Sequence, residues 1–354
     1  MSQDLFSPVQ LGELSLNNRM VMAPMTRARA TRDGFATDIM AKHYAQRASA
    51  GLVVTEGVYP SEQGKGYFNT PGIANDAQAS SWQKVVEGVH QQDGKMVMQL
   101  MHCGRIAHPL NRKADLAIVA PSAIKPKASL FTHEGMKALL KPQALLTSEI
   151  QTVIDEYSLA AKSAMAIGFD GIELHCTSGY LPAQFLASNS NQRSDSYGGS
   201  TQCRCRFVLE LIEALVGVVG SGRLGLRIGI GNTYNDHHDD NPAKTYQYLL
   251  KEINFFPLAY IHALVNGDFD GDTPAFIRNL SSHPIMLNDG YNKESANAAI
   301  KQGNADAVSF GRAFIANPDL VERFLDDFPL NVLNDKTLYQ GGEKGYIDYP
   351  LIND

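Results

Sequence analysis

RMVMAPMTRARA, residues Arg19–Ala30, is the stretch on which the fold turns. It opens as a short apolar run without polar alternation, the mark of a strand buried on both faces, as in parallel sheets. The residues after the run are as telling. A doubly wound dinucleotide-binding sheet carries a glycine-rich turn directly after its first strand. Here Pro24, Thr26 and Arg27 take that place, with no such turn. The stretch points away from that fold and towards a barrel.

Seven more apolar runs of the same kind come later, at Gly51–Gly57, Lys95–His102, Gly171–His175, Leu224–Ile230, Leu258–Leu264, Pro284–Asn288 and Asp306–Arg312. Segments of helical period lie between them. A weak one spans Ala36–Ala50. SSWQKVVEGVHQQDG opens on a serine cap and closes on Gly94. Thr147 or Ser148 caps a long segment that ends on Gly168. TQCRCRFVLELIEALVGVVG, PAKTYQYLLKEINFF, TPAFIRNL, NKESANAAIKQG and NPDLVERFLDDF complete the series. Eight strand–helix units predict an α/β chain folded as a (β/α)8 TIM barrel. We expect a single domain over residues 1–354, with an excursion over about 104–142, rich in Pro, Lys and Ala, after the third strand.

The composition is that of a globular protein, with 354 residues, 44% of them hydrophobic and 19% charged. A formal charge of −6 argues against nucleic acid or an anionic membrane surface as the main partner. The first residues do not form a signal peptide, and no run approaches the ~18 apolar residues of a membrane span. The four cysteines, Cys103, Cys176, Cys203 and Cys205, are poorly spaced for a disulfide or a metal. Reduced thiols in a cytoplasmic protein, monomer or homodimer, with no metal, are the expectation.

Barrels of this kind place their chemistry at the C-terminal ends of the strands. Those ends carry Thr26, then Gly57, then Gln99 and His102. His175, Ser178 and Tyr180 come after the fourth strand, and Arg227 lies inside the fifth. Asp289 with Gly290 and Gly311 with Arg312 come after the last two. Bland readings compete. Thr26 has the chemistry of a helix cap, and His102 that of a satisfied core histidine. Arg227 must find an anion or several acceptors, and an internal salt bridge is one answer. Glycines and an arginine after strands seven and eight match the phosphate site of such barrels. An amide, a buried cation and a phosphate cradle together suit flavin mononucleotide (FMN). An aldolase-type barrel would need a Schiff-base lysine at a strand end, and none is there.

The chain resembles the Old Yellow Enzyme family of flavin-dependent alkene reductases. The likeness is carried by LFSPVQLGELSLNNRMVMAPMTRARA, HYAQRASAGLVVTEG, GYFNTPGI, QLMHCGRIAHP, AIGFDGIELHCTSGYLPAQFL, NQRSDSYGGS, SFGRAFIANPDL, LYQGG and GYIDYPL, nearly the whole chain. It implies a single FMN-binding barrel with non-covalent FMN and a ping-pong reaction. Reduced nicotinamide, NADPH or NADH, gives hydride to the flavin. An electron-poor alkene then takes it: an enone, a maleimide or a nitro-compound. By position, Pro24, Thr26, Gly57, Gln99 and Arg227 would bind the ring system, and Gly290, Gly311 and Arg312 the phosphate. His175 would bind the substrate's activating oxygen and Tyr180 would deliver the proton. Tyr67, Met101 and Tyr339 would line the substrate pocket. Thr26 marks the threonine-containing branch of yeast and enteric-bacterial enzymes, N-ethylmaleimide reductase among them.

Three positions depart from the family pattern. Ser178 stands where the family has Asn or His, and is counted with His175 and Tyr180 in the catalytic set as a shorter donor. Met101 replaces a common tryptophan, and Gln143 a common arginine proposed to meet the nicotinamide phosphate. Ser178 leaves room for a second reading: a flavin-binding, redox-responsive protein with weak ene-reductase activity.

Overall fold

The computed structural model describes residues 4–113 and 115–352. All eight apolar runs are strands: β1 (Met20–Met22), β2 (Leu52–Val54), β3 (Met96–Leu100), β4 (Gly171–Cys176), β5 (Leu224–Gly229), β6 (Tyr260–Leu264), β7 (Ile285–Asn288) and β8 (Ala307–Phe310). Each pairs in parallel with the next, and β8 returns to β1, so the sheet closes into a barrel. The barrel strands are buried along their whole length, which is why they read as unbroken apolar runs.

The main helices that cover the barrel are α1 (Asp38–Ala45), α2 (Asp76–His90), α3 (Thr147–Ala166), α4 (Leu181–Leu186), α5 (Thr201–Val219), α6 (Pro242–Glu252), α7 (Thr273–Leu280) and α8 (Lys293–Lys301). Two short helices, α9 (Arg312–Ala316) and α10 (Leu320–Leu325), come after β8. Two helix starts differ from expectation. Helix α2 begins earlier than its serines suggest, because the Asn75 side chain accepts from the Gln78 amide and caps it there. Helix α3 has Leu146 at its cap position, and Thr147 is already helical. The free N–H of Leu146 is taken by the Glu149 carboxylate, 2.7 Å away.

One end of the barrel is plugged by an antiparallel hairpin, Val9–Leu11 with Leu14–Leu16, which the strand count did not anticipate. Leu11, Leu14 and Leu16 pack on Val21, Leu52, Val97 and Tyr260, the apolar lower layer of the interior. Above that layer the interior turns polar. The excursion over 104–142 carries a second hairpin, Ser129–Thr132 with Gly135–Ala138. Its Leu130, with Leu139, packs against Met101 and Tyr180. Among the described residues no helix is long and apolar enough to cross a membrane.

Candidate active site

The register of the barrel sets the site. Glu173 lies opposite Gln99, His175 opposite Arg227, and Arg227 opposite His262. Neighbouring residues on a strand face opposite ways, so these alternate positions share the inner face. Gln99 Nε2 donates to Glu173 Oε1 at 2.8 Å. Glu173 Oε2 accepts from Tyr260 Oη at 3.0 Å and meets His262 Nδ1 at 2.8 Å. His262 Nε2 lies 2.5 Å from Arg227 Nη1 and 2.7 Å from Ser309 Oγ. Arg227 Nη2 donates to Asn288 Oδ1 at 2.6 Å. Several of these bonds skip a strand and so cross the interior.

Burial and the Arg227 charge push His262 down to about 4, so the ring is neutral at pH 7. Burial alone would raise the Glu173 carboxyl, but His262, Arg227 and Gln99 outweigh it and hold the group ionised. The salt bridge considered for Arg227 thus exists in relayed form, with His262 between the two charges. Glu173, His262, Asn288 and Ser309 were missed from sequence. Yet a charge inside the run GIELH and a histidine inside YIHAL break the apolar pattern just as Arg227 does in LGLRIGI.

One turn above this network sits the β4 end. His175 is buried, and among the described residues its side chain makes no hydrogen bond; Nδ1 in particular is enclosed and unpartnered. Burial, with Arg227 beside it, pushes it down to about 3, so it is a neutral imidazole. Its ring centroid lies 5.1 Å from that of Tyr180. The Tyr180 hydroxyl meets that of Tyr67 at 2.8 Å. Burial and the neighbouring phenol raise Tyr180 well above its ordinary range, so it keeps its proton.

Between the two catalytic candidates the chain turns through Ser178 at φ +57° and Gly179 at φ +73°. A Cβ on Gly179 would lie 2.9 Å from the Tyr234 carbonyl oxygen, so the turn requires glycine. Ser178 is half-buried, and its carbonyl accepts from Asn235 Nδ2 at 2.9 Å, tying the turn to the loop after β5. Cys176 is buried, and the buried Thr177 hydroxyl has no partner among the described residues.

The other strand ends surround this turn. Thr26 lies with Pro24 in a half-buried segment outside helix and strand; it caps no helix, since α1 starts at Asp38. Gly57 is buried against Met101, whose Sδ and Cε would lie 2.6 Å from an added Cβ. His102 is a core histidine whose Nδ1 accepts from the Gly104 N–H at 3.0 Å while Nε2 has no partner among the described residues. Asp289 and Gly290 turn at φ +87° and +75°, and a Cβ on Gly290 would meet nothing within 4 Å. Gly311 precedes α9, whose first residue, Arg312, is exposed and without a partner among the described residues. A hollow of about 470 Å³ lined by Ser15, Asn17, His90 and Lys95 lies at the opposite end and holds none of these groups.

A further wall was not foreseen. Arg27 donates to the carbonyls of Leu338 and Gly345, and Arg29 to those of Thr337, Leu338, Gln340 and Gly342. Both guanidiniums lie about 5 Å from the Tyr346 ring centroid, at 5.0 and 4.9 Å. The C-terminal segment is thereby strapped beside Thr26. Tyr339, on that strap, is exposed. Buried Glu56, next to Gly57, is raised by burial to about 7.

A parallel barrel whose mouth carries a buried cation, a buried histidine without a partner among the described residues and an open glycine turn has the architecture of a barrel enzyme with its polar groups at the C-terminal strand ends. Among the described residues no cluster of three or more His, Cys, Asp or Glu could hold a metal. The chain belongs to the NADH:flavin oxidoreductase / NADH oxidase family, whose model matches residues 4–331. It is 36% identical to a "Probable flavin mononucleotide-dependent alkene reductase" of Leishmania infantum, over 98% of this chain and 97% of that one. It is 36% identical to 12-oxophytodienoate reductase 7 of Oryza sativa subsp. japonica, over 98% and 94%. Its fold is similar to that of morphinone reductase in complex with tetrahydroNAD, with TM-score 0.95, 39% identity and coverage of 99% and 98%. The old yellow enzyme homologue from Zymomonas mobilis gives TM-score 0.95 and 36% identity, with coverage of 99% of this chain and 100% of that one. The chain is a flavin oxidoreductase that uses a reduced nicotinamide, and the Old Yellow Enzyme resemblance holds.

Proposed function

We propose that this chain reduces activated C=C bonds, in enones, maleimides and nitro-compounds, with His175 and Tyr180 acting on the substrate. The carrying observation is that, at the end of β4, a buried neutral histidine without a partner among the described residues sits next to a phenol that keeps its proton. Relatives named for alkene, 12-oxophytodienoate and morphinone reduction support the same chemistry and weigh against a merely redox-responsive protein.

The residues present fit FMN. Gln99 and Arg227 offer an amide and a buried cation to the ring edge, with Pro24, Thr26 and Gly57 around it. The open turn at Gly290, with Gly311 and Arg312, offers backbone N–H groups and a free guanidinium to the phosphate. Bound FMN supplies the hydride brought by the nicotinamide. The chain's own groups do the rest. His175 donates to the substrate oxygen on which negative charge builds, the task of an oxyanion hole. Ser178 lies one turn away as a second, shorter donor. Tyr180 delivers its proton to the α-carbon as general acid. Its bond to Tyr67 holds the hydroxyl in place while Met101, Cys103 and Leu130 keep water off. Tyr67, Met101 and Tyr339 line the substrate's approach. A chain of one barrel domain, working on reduced nicotinamide with four free thiols, suits the cytoplasm, as monomer or homodimer.

Anaerobic mixing of the FMN-loaded protein with NADPH or NADH tests the reading. Bleaching of the flavin by either nucleotide and its recovery on adding N-ethylmaleimide is the expected result. Tyr180→Phe keeps the bleaching and slows turnover of cyclic enones by ~10²–10⁴. Equal enone turnover in Tyr180→Phe and wild type would remove Tyr180 from its role. The ratio of kcat/KM for the two nucleotides reports what Gln143 does.

A further inference from the structure

We propose that Glu173 is a positioning residue for the bound cofactor: its carboxylate, bonded directly to Gln99 and relayed through His262 to Arg227, sets the positive charge felt at the ring edge and hence the reduction potential. This goes beyond the reading of Gln99 and Arg227 as ring partners, and rests on it.

Glu173 is fully enclosed, two residues below His175 on β4, and its carboxylate is taken up by Gln99, Tyr260 and His262. Its bonds go to groups that face the cofactor or hold those that do. One Gln99 N–H is spent on Glu173 Oε1 at 2.8 Å. That fixes the amide plane and leaves the Gln99 carbonyl oxygen and its second N–H for the ring. On the other oxygen, an ionised carboxylate can only accept, so His262 Nδ1 carries the proton in their 2.8 Å bond. In a neutral ring Nε2 is then the acceptor, and Arg227 Nη1 donates to it at 2.5 Å. A carboxylate, an imidazole and a guanidinium are thus lined up in one sense, negative end deep and positive end towards the mouth. Glu173 is the strongest anionic influence on Arg227, ahead of Asp289. In a site closed to water such a fixed charge acts with little screening.

Reduction adds negative charge to the ring, so the more of the Arg227 charge Glu173 cancels, the lower the potential. Measuring the midpoint potential of bound FMN in wild type, Glu173→Gln and Tyr260→Phe tests this. Glu173→Gln removes the counter-charge. It should favour the reduced cofactor at least tenfold, a positive shift of about 30 mV for a two-electron couple. Tyr260→Phe removes a donor that shields the carboxylate and should shift the potential the other way, by less. If Glu173→Gln does not fold or retain FMN, the sign in Tyr260→Phe decides: a negative shift supports the relay, and no shift or a positive one overturns it. Potentials unchanged in two folded, loaded variants also overturn it. FMN affinity in Gln99→Leu separates the two levels. Loss of affinity there with unmoved potentials sinks the relay alone; unchanged affinity sinks the site reading and the relay with it.

Discussion

His175 and His262 stand two strands apart in one barrel, both buried and both held neutral, and they are opposites. His262 is engaged at both nitrogens, by Glu173 on one side and by Arg227 and Ser309 on the other. His175 is engaged at neither. An enclosed polar group left unpaired costs ~1–3 kcal/mol. The fold accepts that cost a single layer above a network in which charged groups all find partners. The lower polar layer is bonded chiefly within itself, and that sets what Gln99 and Arg227 present at the mouth. The upper one is polar in order to meet something that is not part of the chain.

Replacing each histidine by leucine breaks the comparison most directly. His262→Leu leaves Glu173 and Arg227 facing each other without their bridge, and the loss of a buried charge partner should cost ~3–5 kcal/mol in denaturant or thermal unfolding. His175→Leu should do the reverse to stability, leaving it unchanged or raising it by about 1 kcal/mol, because an unpaired group is removed. Its damage should appear in turnover, a loss of ~10²–10³ in kcat on enones, the effect of deleting one oxyanion donor. A destabilised His175→Leu would mean the imidazole has a structural partner after all.

Acid sharpens the same contrast. Folding lowers His175 to about 3 from an ordinary value near 6.5. Between those values the unfolded chain binds a proton that the folded chain refuses, so the wild type loses stability as pH falls through this window. His175→Leu should flatten that loss by up to ~1.4 kcal/mol per pH unit, read from unfolding midpoints at pH 6.5, 5.5 and 4.5. Ser178→Asn is the smallest change. Asparagine tolerates the left-handed backbone at φ +57° better than serine and reaches further. A para-substituted phenol should bind to it up to about tenfold tighter than to wild type, visible as a charge-transfer band. Equal, tight binding in both would show that serine suffices.

The barrel was legible because parallel strands buried on both faces leave apolar runs, and all eight runs are strands. The strand-end residues named from sequence do gather at one mouth. The exposed Tyr339 belongs to the strap that borders it. Glu173 and His262 were legible in principle: an Arg227 in need of an anion directs attention to the other charged or polar residues that interrupt a buried strand. The strap was not legible. Arg27 and Arg29 bind backbone carbonyls, and a carbonyl is present at every residue, so these hydrogen bonds leave no mark in the sequence; the Tyr346 ring beside both guanidiniums is an aromatic like many others until the fold brings it there. Helix starts misread for a similar reason, since Asn75 and Glu149 act through local backbone N–H groups.

That strap has a consequence for how the protein is made. The arginines are near the beginning of the chain and their acceptors 308 to 318 residues later. At ~5–20 residues per second a ribosome takes roughly 15–60 seconds to travel that distance. Throughout that interval Arg27 and Arg29 are without the 337–345 carbonyls that hold them in the folded protein. The wall beside Thr26 is therefore among the last parts of the mouth to set, because its acceptors follow even β8, the strand that closes the barrel.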